Sequence, residues 1–268
     1  MIIVLVVLGL ILGSFINAWV WRVSQQLGGK PLSILTGRSQ CPHCGQQLSP
    51  KDLVPILSWL SLRGRCRYCA QPIGAQYPVV EILAGLVFGL SYLWWPGGLH
   101  SNADWLQLGT WLAASVGLIA LLVYDARWTM LPNKIVYPTL ALAVAGRLIY
   151  MLAYADDKLH FGLMWLASLV VASGFFWVLY TISKGKWIGY GDVRLGLITG
   201  TILLTPTKAS LMIFLASVLG SLWAIPLLLS GRQQLSTKLA FGPFLIASTM
   251  VILLFGDRFI NWYQRLLG

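Results

Sequence analysis

Residues 106–124 read LQLGTWLAASVGLIALLVY, and the carboxylate of Asp125 follows directly. The run contains no charged residue, and as a helix rising about 1.5 Å per residue it is long enough to cross a hydrocarbon core about 30 Å thick. Apolar runs of similar length recur on both sides of it. The core of a water-soluble domain does not explain so many apolar runs of this length. The sequence therefore predicts a membrane protein with several transmembrane helices.

The composition of the whole chain agrees with that prediction. Hydrophobic residues make up 57% of the 268 residues and charged residues only 10%, whereas soluble domains contain about 25% charged residues. We predict an all-α fold with about eight transmembrane helices. The first run lacks a basic leading region and a small-residue cleavage site, so we expect it to be retained as a helix. The predicted spans are residues 2–21, 77–95, 106–124, 135–153, 161–182, 193–205, 209–229 and 239–256, of which the sixth is short.

The net charge of +11 is interpreted as a topology signal and not as a nucleic-acid-binding surface. The basic residues lie in short segments between apolar runs and form no continuous basic face. Fourteen of the nineteen fall in alternate loops, and the positive-inside rule assigns that side to the cytoplasm. Both termini then face outward, and lipid is the expected surrounding partner. The fourteen are Arg22, Lys30, Arg38, Lys51, Arg63, Arg65, Arg67, Arg127, Lys134, Lys184, Lys186, Arg194, Arg232 and Lys238.

The predicted organisation has three parts: a first transmembrane helix at residues 1–21, a cytoplasmic polar loop at residues 22–76, and a multi-helix membrane domain at residues 77–268. The loop holds all four cysteines of the chain, as two CxxC pairs separated by twenty-one residues: Cys41, Cys44, Cys66 and Cys69. Four thiolates on paired tight turns match the tetrahedral geometry of Zn²⁺ and leave no open position, which predicts a structural zinc site. Disulfides are the alternative, opposed by a reducing cytoplasm, and His43 could compete as a ligand.

Most of the eight acidic residues lie in loops or at span ends, where a solvated carboxylate costs little. Asp125 and Asp192 are different, because both map to the cytoplasmic ends of spans, at matched depth. Ionisable groups inside a membrane are energetically costly and often functional. Two carboxylates that share one proton can activate a water molecule. One acts as the base toward water while its protonated partner polarises a scissile carbonyl. The sequence therefore predicts an aspartic peptidase whose catalytic residues are Asp125 and Asp192.

The residues around this pair also allow simpler interpretations. Gly189 and Gly191 could let an extended substrate backbone approach Asp192, or they could mark a glycine-rich helix entrance at which Asp192 is stabilised by the helix dipole. Asp125 could pair with Arg127. A third intramembrane acid, Glu81, is expected to need either a function or a basic partner.

Several motifs distributed over nearly the whole chain match one known family. They are Gly13-Ser-Phe-Ile-Asn17 with Arg22, the four-cysteine loop with Ser58-Trp-Leu-Ser-Leu-Arg-Gly64, Tyr77-Pro-Val-Val-Glu81, Asp125, Leu131-Pro132, and Gly189-Tyr-Gly-Asp192. Together they resemble the type IV prepilin leader peptidase family, the GxGD-type aspartic membrane proteases. Asn133, Gln76 and Arg194 stand where Asp, Arg and Lys are frequent in that family, and none of these differences removes a catalytic carboxylate.

The resemblance implies cleavage of a short basic leader from type IV prepilins or type II secretion pseudopilins. The cut falls after a Gly, on the cytoplasmic face of the bacterial inner membrane, and Asp125 and Asp192 occupy the catalytic positions. Members with the four-cysteine loop also methylate the new N-terminal residue, commonly Phe, with S-adenosylmethionine. No glycine-rich signature identifies residues that bind this methyl donor.

Three other functions remain open at this level. An ion-coupled transporter or channel could use Asp125, Asp192 and Glu81 as a pathway, although such acids are expected near the midplane. A GxGD protease could cut within a substrate helix instead of before it. An assembly protein could use the cysteine loop only to bind partners.

Overall fold

The computed structural model describes residues 1–29, 33, 37–229 and 240–267, and over these residues the protein is helical. Lys30, Arg232 and Lys238 from the predicted basic set, and residue 239 at the start of the last predicted span, lie outside the described residues. The helices are α1 (Ile2–Leu27), α2 (Leu57–Ser61), α3 (Gln76–Leu93), α4 (Asn102–Trp128), α5 (Asn133–Tyr154), α6 (Lys158–Leu169), α7 (Phe175–Ser183), α8 (Tyr190–Leu203), α9 (Pro206–Leu229) and α10 (Gly242–Leu267). A π-helical turn at Val170–Gly174 joins α6 to α7.

The predicted all-α membrane fold is confirmed, with one difference in the spans. Seven helices of the described chain are long and apolar enough to cross a membrane: α1, α3, α4, α5, the continuous α6 to α7, α9 and α10. At the sixth predicted span the chain forms α8, whose 14 residues extend about 21 Å and fall short of a core about 30 Å thick. Most of its residues are buried, so α8 is surrounded by other helices of the protein.

The chain divides into two compact units, Met1–Leu93 and Trp94–Gly268. In the first unit α1 and α3 pack at very short range, because glycines remove the side chains between them. A Cβ added at Gly9 would lie 2.6 Å from the carbonyl oxygen of Ala84, and one at Gly13 would lie 2.5 Å from the Cα of Glu81. Such small-residue contacts are typical of helix pairs in membranes, and here they bring Glu81 against α1.

In the second unit the short helix α8 packs closely against the segment around the π-helical turn. A Cβ at Gly196 would lie 2.6 Å from the carbonyl oxygen of Ala172. The hydroxyl of Ser173 donates to the carbonyl oxygen of Val193 (2.9 Å), and the hydroxyl of Ser168 donates to that of Gly200 (2.9 Å). These contacts fix α8 along its length, and therefore fix the position of the residues at its start.

The far end of α8 is held by Arg147 of α5, the basic residue that falls within a predicted span. Its guanidinium donates to the carbonyl oxygens of Thr201 (2.9 Å) and Ile202, in the last turn of α8. The same group donates to the side-chain oxygen of Gln107 (3.3 Å). The last carbonyls of a helix have no partner within the helix and carry partial negative charge, so Arg147 satisfies the end of α8 inside the protein.

We expect Arg147→Met to lower the free energy of unfolding by about 1–3 kcal/mol, because it leaves partly buried carbonyl oxygens without donors. The measurement is chemical or thermal unfolding of the purified protein in detergent. Arg258→Met is the matched control, since it removes an exposed guanidinium that lies over the ring of Phe255. Equal stability of the two variants would contradict the role assigned to Arg147.

Candidate active site and metal site

Asp125 lies in the last turn of α4, and its side chain is buried, with 5% of the residue exposed. The helix ends four residues later at Thr129, which adopts a left-handed conformation (φ 52°) and donates its N–H to the carbonyl oxygen of Asp125 (2.8 Å). One carboxylate oxygen of Asp125 accepts a hydrogen bond from the backbone N–H of Gly242 (3.1 Å), the first residue of α10. The C-terminal end of α4 and the N-terminal end of α10 therefore meet at this carboxylate.

Asp192 is the third residue of α8 and is also buried, with 9% exposed. The helix begins at Tyr190 after an extended Gly189, and the N–H of Asp192 donates to the carbonyl oxygen of Gly189 (3.1 Å). A carboxylate in the first turn lies at the positive end of the helix dipole. The dipole therefore stabilises Asp192, and burial keeps it out of bulk water.

The structure brings the two carboxylates to the same end of the second unit. Asp125 is close enough to Asp192 to act on it electrostatically, although α5, α6 and α7 separate them in the chain. Two acids that interact electrostatically disfavour simultaneous ionisation. A pair of acids that shares one proton can activate a water molecule, and that role for Asp125 and Asp192 stays a prediction.

The glycines beside Asp192 have different surroundings. A Cβ at Gly191 would lie 3.0 Å from a methyl carbon of Leu131, so this position is tightly packed against the Leu131-Pro132 turn. A Cβ at Gly189 would lie 3.8 Å from a carboxylate oxygen of Asp192, an ordinary contact distance. Packing is therefore one reason for Gly191, while close approach of a substrate stays a prediction.

The simpler interpretation of Asp125, as a partner for Arg127, does not match the contacts. The Arg127 guanidinium lies over the ring of Trp128, 4.9 Å from the ring centroid. The hydrogen-bond donor to the Asp125 carboxylate is Gly242. In the sequence, Gly242 is one residue of the predicted span 239–256. The Phe241-Gly242-Pro243 sequence could have signalled a helix start, but nothing local connects it to an aspartate 117 residues away.

We expect Gly242→Ala to reduce the hydrolytic activity of the site by about tenfold or more. An added Cβ would lie 2.5 Å from a carboxylate oxygen of Asp125, so the carboxylate must move, and displacements of about 1 Å can cost about 100-fold in rate. The measurement is the rate of substrate cleavage. Gly109→Ala, in the same helix as Asp125 and with no atom within 4 Å of the added carbon, is the control that should cleave normally. Normal cleavage by Gly242→Ala would show that the Asp125 carboxylate tolerates the shift.

In the first unit the four cysteines form a group that could hold a metal ion, as the spacing predicted. Their sulfur atoms all lie within 4.8 Å of one another, and those of Cys41 and Cys69 are 3.9 Å apart. Four ligands at the usual Zn–S distance of about 2.3 Å would be about 3.8 Å from one another. None of the four is in a disulfide, and the exposed His43 is outside the group.

The two CxxC turns repeat the same hydrogen bonds. The N–H of Gly45 donates to the carbonyl oxygen of Cys41, and the N–H of Ala70 donates to that of Cys66, both at 2.9 Å. Gly45 and Ala70 both have positive φ, 70° and 56°. The same backbone geometry therefore presents each pair of thiols, and the left-handed position of Ala70 is one that side chains rarely adopt.

Asp52 connects the second CxxC turn to the rest of the loop. Its carboxylate accepts from the Arg67 guanidinium (2.7 Å), the Tyr68 hydroxyl (3.1 Å), and the N–H and hydroxyl of Ser49 (3.1 and 2.8 Å). Burial opposes ionisation of Asp52, but the hydrogen bonds outweigh it and lower the pKa to about 2. Asp52 is therefore ionised at neutral pH and holds Arg67 and Tyr68, which lie between Cys66 and Cys69.

Glu81 is buried in α3, with 7% exposed, and its hydrogen-bond donors among the described residues are Ile56 and Ser14. One carboxylate oxygen accepts from the backbone N–H of Ile56 (2.7 Å), and the Ser14 side chain of α1 also hydrogen-bonds to it. Ile56 has a positive φ of 62°, which is strained for a β-branched residue. Glu81 therefore helps hold the turn that begins α2, and the described residues supply it with no ion-pair partner.

Comparisons with known proteins match both parts of the chain. A family model for the bacterial peptidase A24 N-terminal domain matches residues 7–95, and one for the type IV leader peptidase family matches residues 112–225. No solved structure matches the chain.

The relatives match over nearly their full length. A Bacillus subtilis protein is 30% identical over 275 residues, covering 99% of this chain and 99% of the relative. One from Pseudomonas aeruginosa is 29% identical over 289 residues, covering 98% of this chain and 93% of the relative. One from Burkholderia pseudomallei is 32% identical over 275 residues, covering 95% of this chain and 85% of the relative. Each of these relatives is named a prepilin leader peptidase/N-methyltransferase.

Proposed function

Because this chain belongs to the type IV leader peptidase family, we propose that it cleaves the basic leader from prepilins or pseudopilins, with Asp125 and Asp192 as its catalytic residues. The observation that carries the proposal is the pair of buried carboxylates at one end of the membrane helices. The chain is an integral membrane protein, and its substrate class also has a membrane helix preceded by a polar leader. The scissile bond then lies near the membrane surface, at the height of the pair.

The proposed reaction is an addition of water to the peptide carbonyl. One aspartate, in its ionised form, removes a proton from the water while the other, protonated, donates a hydrogen bond to the carbonyl oxygen. As the tetrahedral intermediate collapses, the first aspartate returns its proton to the leaving amine. The Gly242 N–H holds one carboxylate oxygen of Asp125, so it orients that carboxylate for its part in the exchange.

We assign the site to the cytoplasmic face of a bacterial inner membrane. The basic loops support this orientation through the positive-inside rule. The positions of the aspartates at helix ends separate this proposal from an ion pathway, whose acids are expected near the midplane.

We also propose that the chain methylates the new N-terminal residue with S-adenosylmethionine, as the names of its relatives suggest. The loop at residues 22–76 is assigned to this activity, and zinc to its four cysteines. Four sulfur atoms within 4.8 Å of one another fit a closed tetrahedral zinc site, which would stabilise the loop and take no part in the chemistry.

The test is incubation of the purified protein with a prepilin-like substrate, with and without S-adenosylmethionine, followed by mass measurement of the product. Loss of the leader in both reactions, and one added methyl group only with the donor, is the expected result. An intact substrate would overturn the peptidase assignment. A cut within the substrate's apolar helix would instead identify an intramembrane protease.

A further inference from the structure

The first unit contains a cavity of about 130 Å³ between α1, α3 and the cysteine loop. A cavity needs only about 10–15 Å³ on this scale to hold one water molecule, so there is room for a larger group. Aromatic side chains of Trp21, Trp59 and Tyr77 line the cavity. Trp59 is fixed, because its indole N–H donates to the carbonyl oxygen of Ile73 (3.1 Å).

Two buried acceptors also line the cavity, Asn17 and Glu81. Only 3% of Asn17 is exposed, and its amide nitrogen donates to the carbonyl oxygens of Gly13 (3.2 Å) and Tyr77 (3.1 Å). Those bonds fix the amide, and its oxygen is left without a hydrogen-bond partner among the described residues. An unsatisfied buried acceptor lowers the stability of the folded state by about 1–3 kcal/mol. A ligand that donates a hydrogen bond to this oxygen would remove that cost.

Glu81 adds a carboxyl group to the same wall. Its carboxylate has about four lone-pair positions, and Ile56 and Ser14 supply neutral donors to it. Within the described part of the chain it forms no ion pair closer than 4 Å. The other charged lining residues are engaged elsewhere: Arg22 donates to the carbonyl oxygen of Gly37 (2.7 Å), and Asp52 pairs with Arg67.

This cavity has aromatic walls, an amide oxygen that lacks a donor and a carboxylate with no ion pair among the described residues. It is suited to a cationic donor that carries an apolar group. Ammonium groups supply several N–H donors and are attracted both to carboxylates and to aromatic faces. We infer that this cavity binds the free α-amino group of a peptide N-terminus, with Glu81 and Asn17 as acceptors and the aromatic residues around the first side chain. The inference rests on the proposed methylation and locates its acceptor substrate.

An α-amino group could also come from the methionine end of the methyl donor. That end carries a carboxylate beside its amine, which Glu81 would repel. A peptide N-terminus has a neutral amide in the same place. The charge of the cavity therefore favours the peptide over the donor.

The proposed methylation is a transfer of a methyl group from sulfur to nitrogen. The methyl carbon moves from the sulfonium sulfur of the donor to the amine nitrogen, so the C–S electron pair goes to sulfur and the nitrogen lone pair forms the new bond. A free α-ammonium has a pKa of about 8 and must lose a proton before it can attack. As the acceptor for the ammonium group, Glu81 is the residue that would take that proton.

The first test compares two peptides on the zinc-loaded, full-length protein in lipid nanodiscs. Both begin with Phe followed by polar residues, and one is N-acetylated. We expect the free N-terminus to bind at least about tenfold more tightly, followed by tryptophan fluorescence or calorimetry. Equal affinities would overturn the inference without any substitution being needed.

The second test uses Glu81→Gln, which keeps an oxygen to accept the Ile56 N–H but removes the charge. Asp156→Asn, at an exposed loop residue, is the control for the loss of one carboxylate. With zinc content and unfolding midpoint checked, Glu81→Gln should lose most of the preference for the free N-terminus, and Asp156→Asn should keep it. A variant that loses affinity for S-adenosylmethionine alone would place the donor in the cavity and overturn the assignment.

The same preparations separate this inference from the proposed function. If the wild-type protein methylates the Phe peptide but binds both peptides equally, the proposed methyltransferase activity stands and the assignment of the cavity to the peptide N-terminus is rejected. Preferential binding of the free N-terminus without methylation would keep the cavity and reject the methyltransferase. An unchanged rate of methylation of this peptide by Glu81→Gln would also reject the cavity.

Discussion

Asp125→Asn and Asp192→Asn are each expected to lower the rate of leader cleavage by at least about a thousandfold, within the range that general acid–base groups contribute. A carboxamide has nearly the shape of a carboxylate but cannot take a proton from water. In Asp125→Asn the side-chain oxygen can still accept the Gly242 N–H, so the ends of α4 and α10 should stay together. The measurement is the single-turnover rate of cleavage on a prepilin-like substrate.

The fold should survive both substitutions, because a buried carboxylate is costly and its neutral replacement removes that cost. We therefore expect the unfolding midpoint of each variant to equal or exceed that of the wild-type protein. Asp156→Asn serves as the control for a carboxylate outside the site and should cleave normally. A single Asn variant that is folded and cleaves at a rate near that of the wild type would refute the carboxylate pair as the source of the hydrolysis.

Cys41→Ser and Cys69→Ser are expected to remove most of the bound zinc and to unfold the cysteine loop. Between residues 37 and 75 only Cys41, Ser58, Gly64 and Cys66 are buried, so the loop has almost no apolar core of its own. Domains that small generally need metals or disulfides, and zinc sites of this type contribute about 10–16 kcal/mol at neutral pH. A Ser hydroxyl is not ionised at neutral pH, so it cannot replace the missing thiolate.

The measurements are metal content by mass spectrometry and the rate of limited proteolysis in the loop. His43→Ala is the matched control, because His43 is the competing ligand by sequence and lies outside the sulfur group. It should keep one zinc per chain and a protected loop. Full zinc content in a Cys→Ser variant, or zinc loss in His43→Ala, would require a different ligand set.

Positions at which sequence reasoning fell short share one property, namely that their partners are distant in the chain. Arg147 lies within a predicted span, and its partners in α8 are 54 and 55 residues away. Glu81 was expected to need a function or a basic partner, whereas the backbone of Ile56 and the side chain of Ser14 supply its donors. Gly242 lies within a predicted span, and its contact with Asp125, 117 residues away, follows from the packing of α10 against α4.

The sequence by itself determined that the chain is a membrane protein, that its four cysteines can meet around one metal, and that Asp125 and Asp192 are the acids to examine. These conclusions rest on local patterns. An apolar run of about 20 residues is long enough to span a bilayer, and the CxxC spacing places two thiols on one tight turn. A carboxylate beside such a run carries a desolvation cost, so it needs an explanation. Only the tertiary structure decided that α8 is enclosed by other helices, which carboxylate oxygen meets Gly242, and that Asn17 and Glu81 line one cavity. Those features depend on how helices pack across distances in the chain that no local pattern encodes.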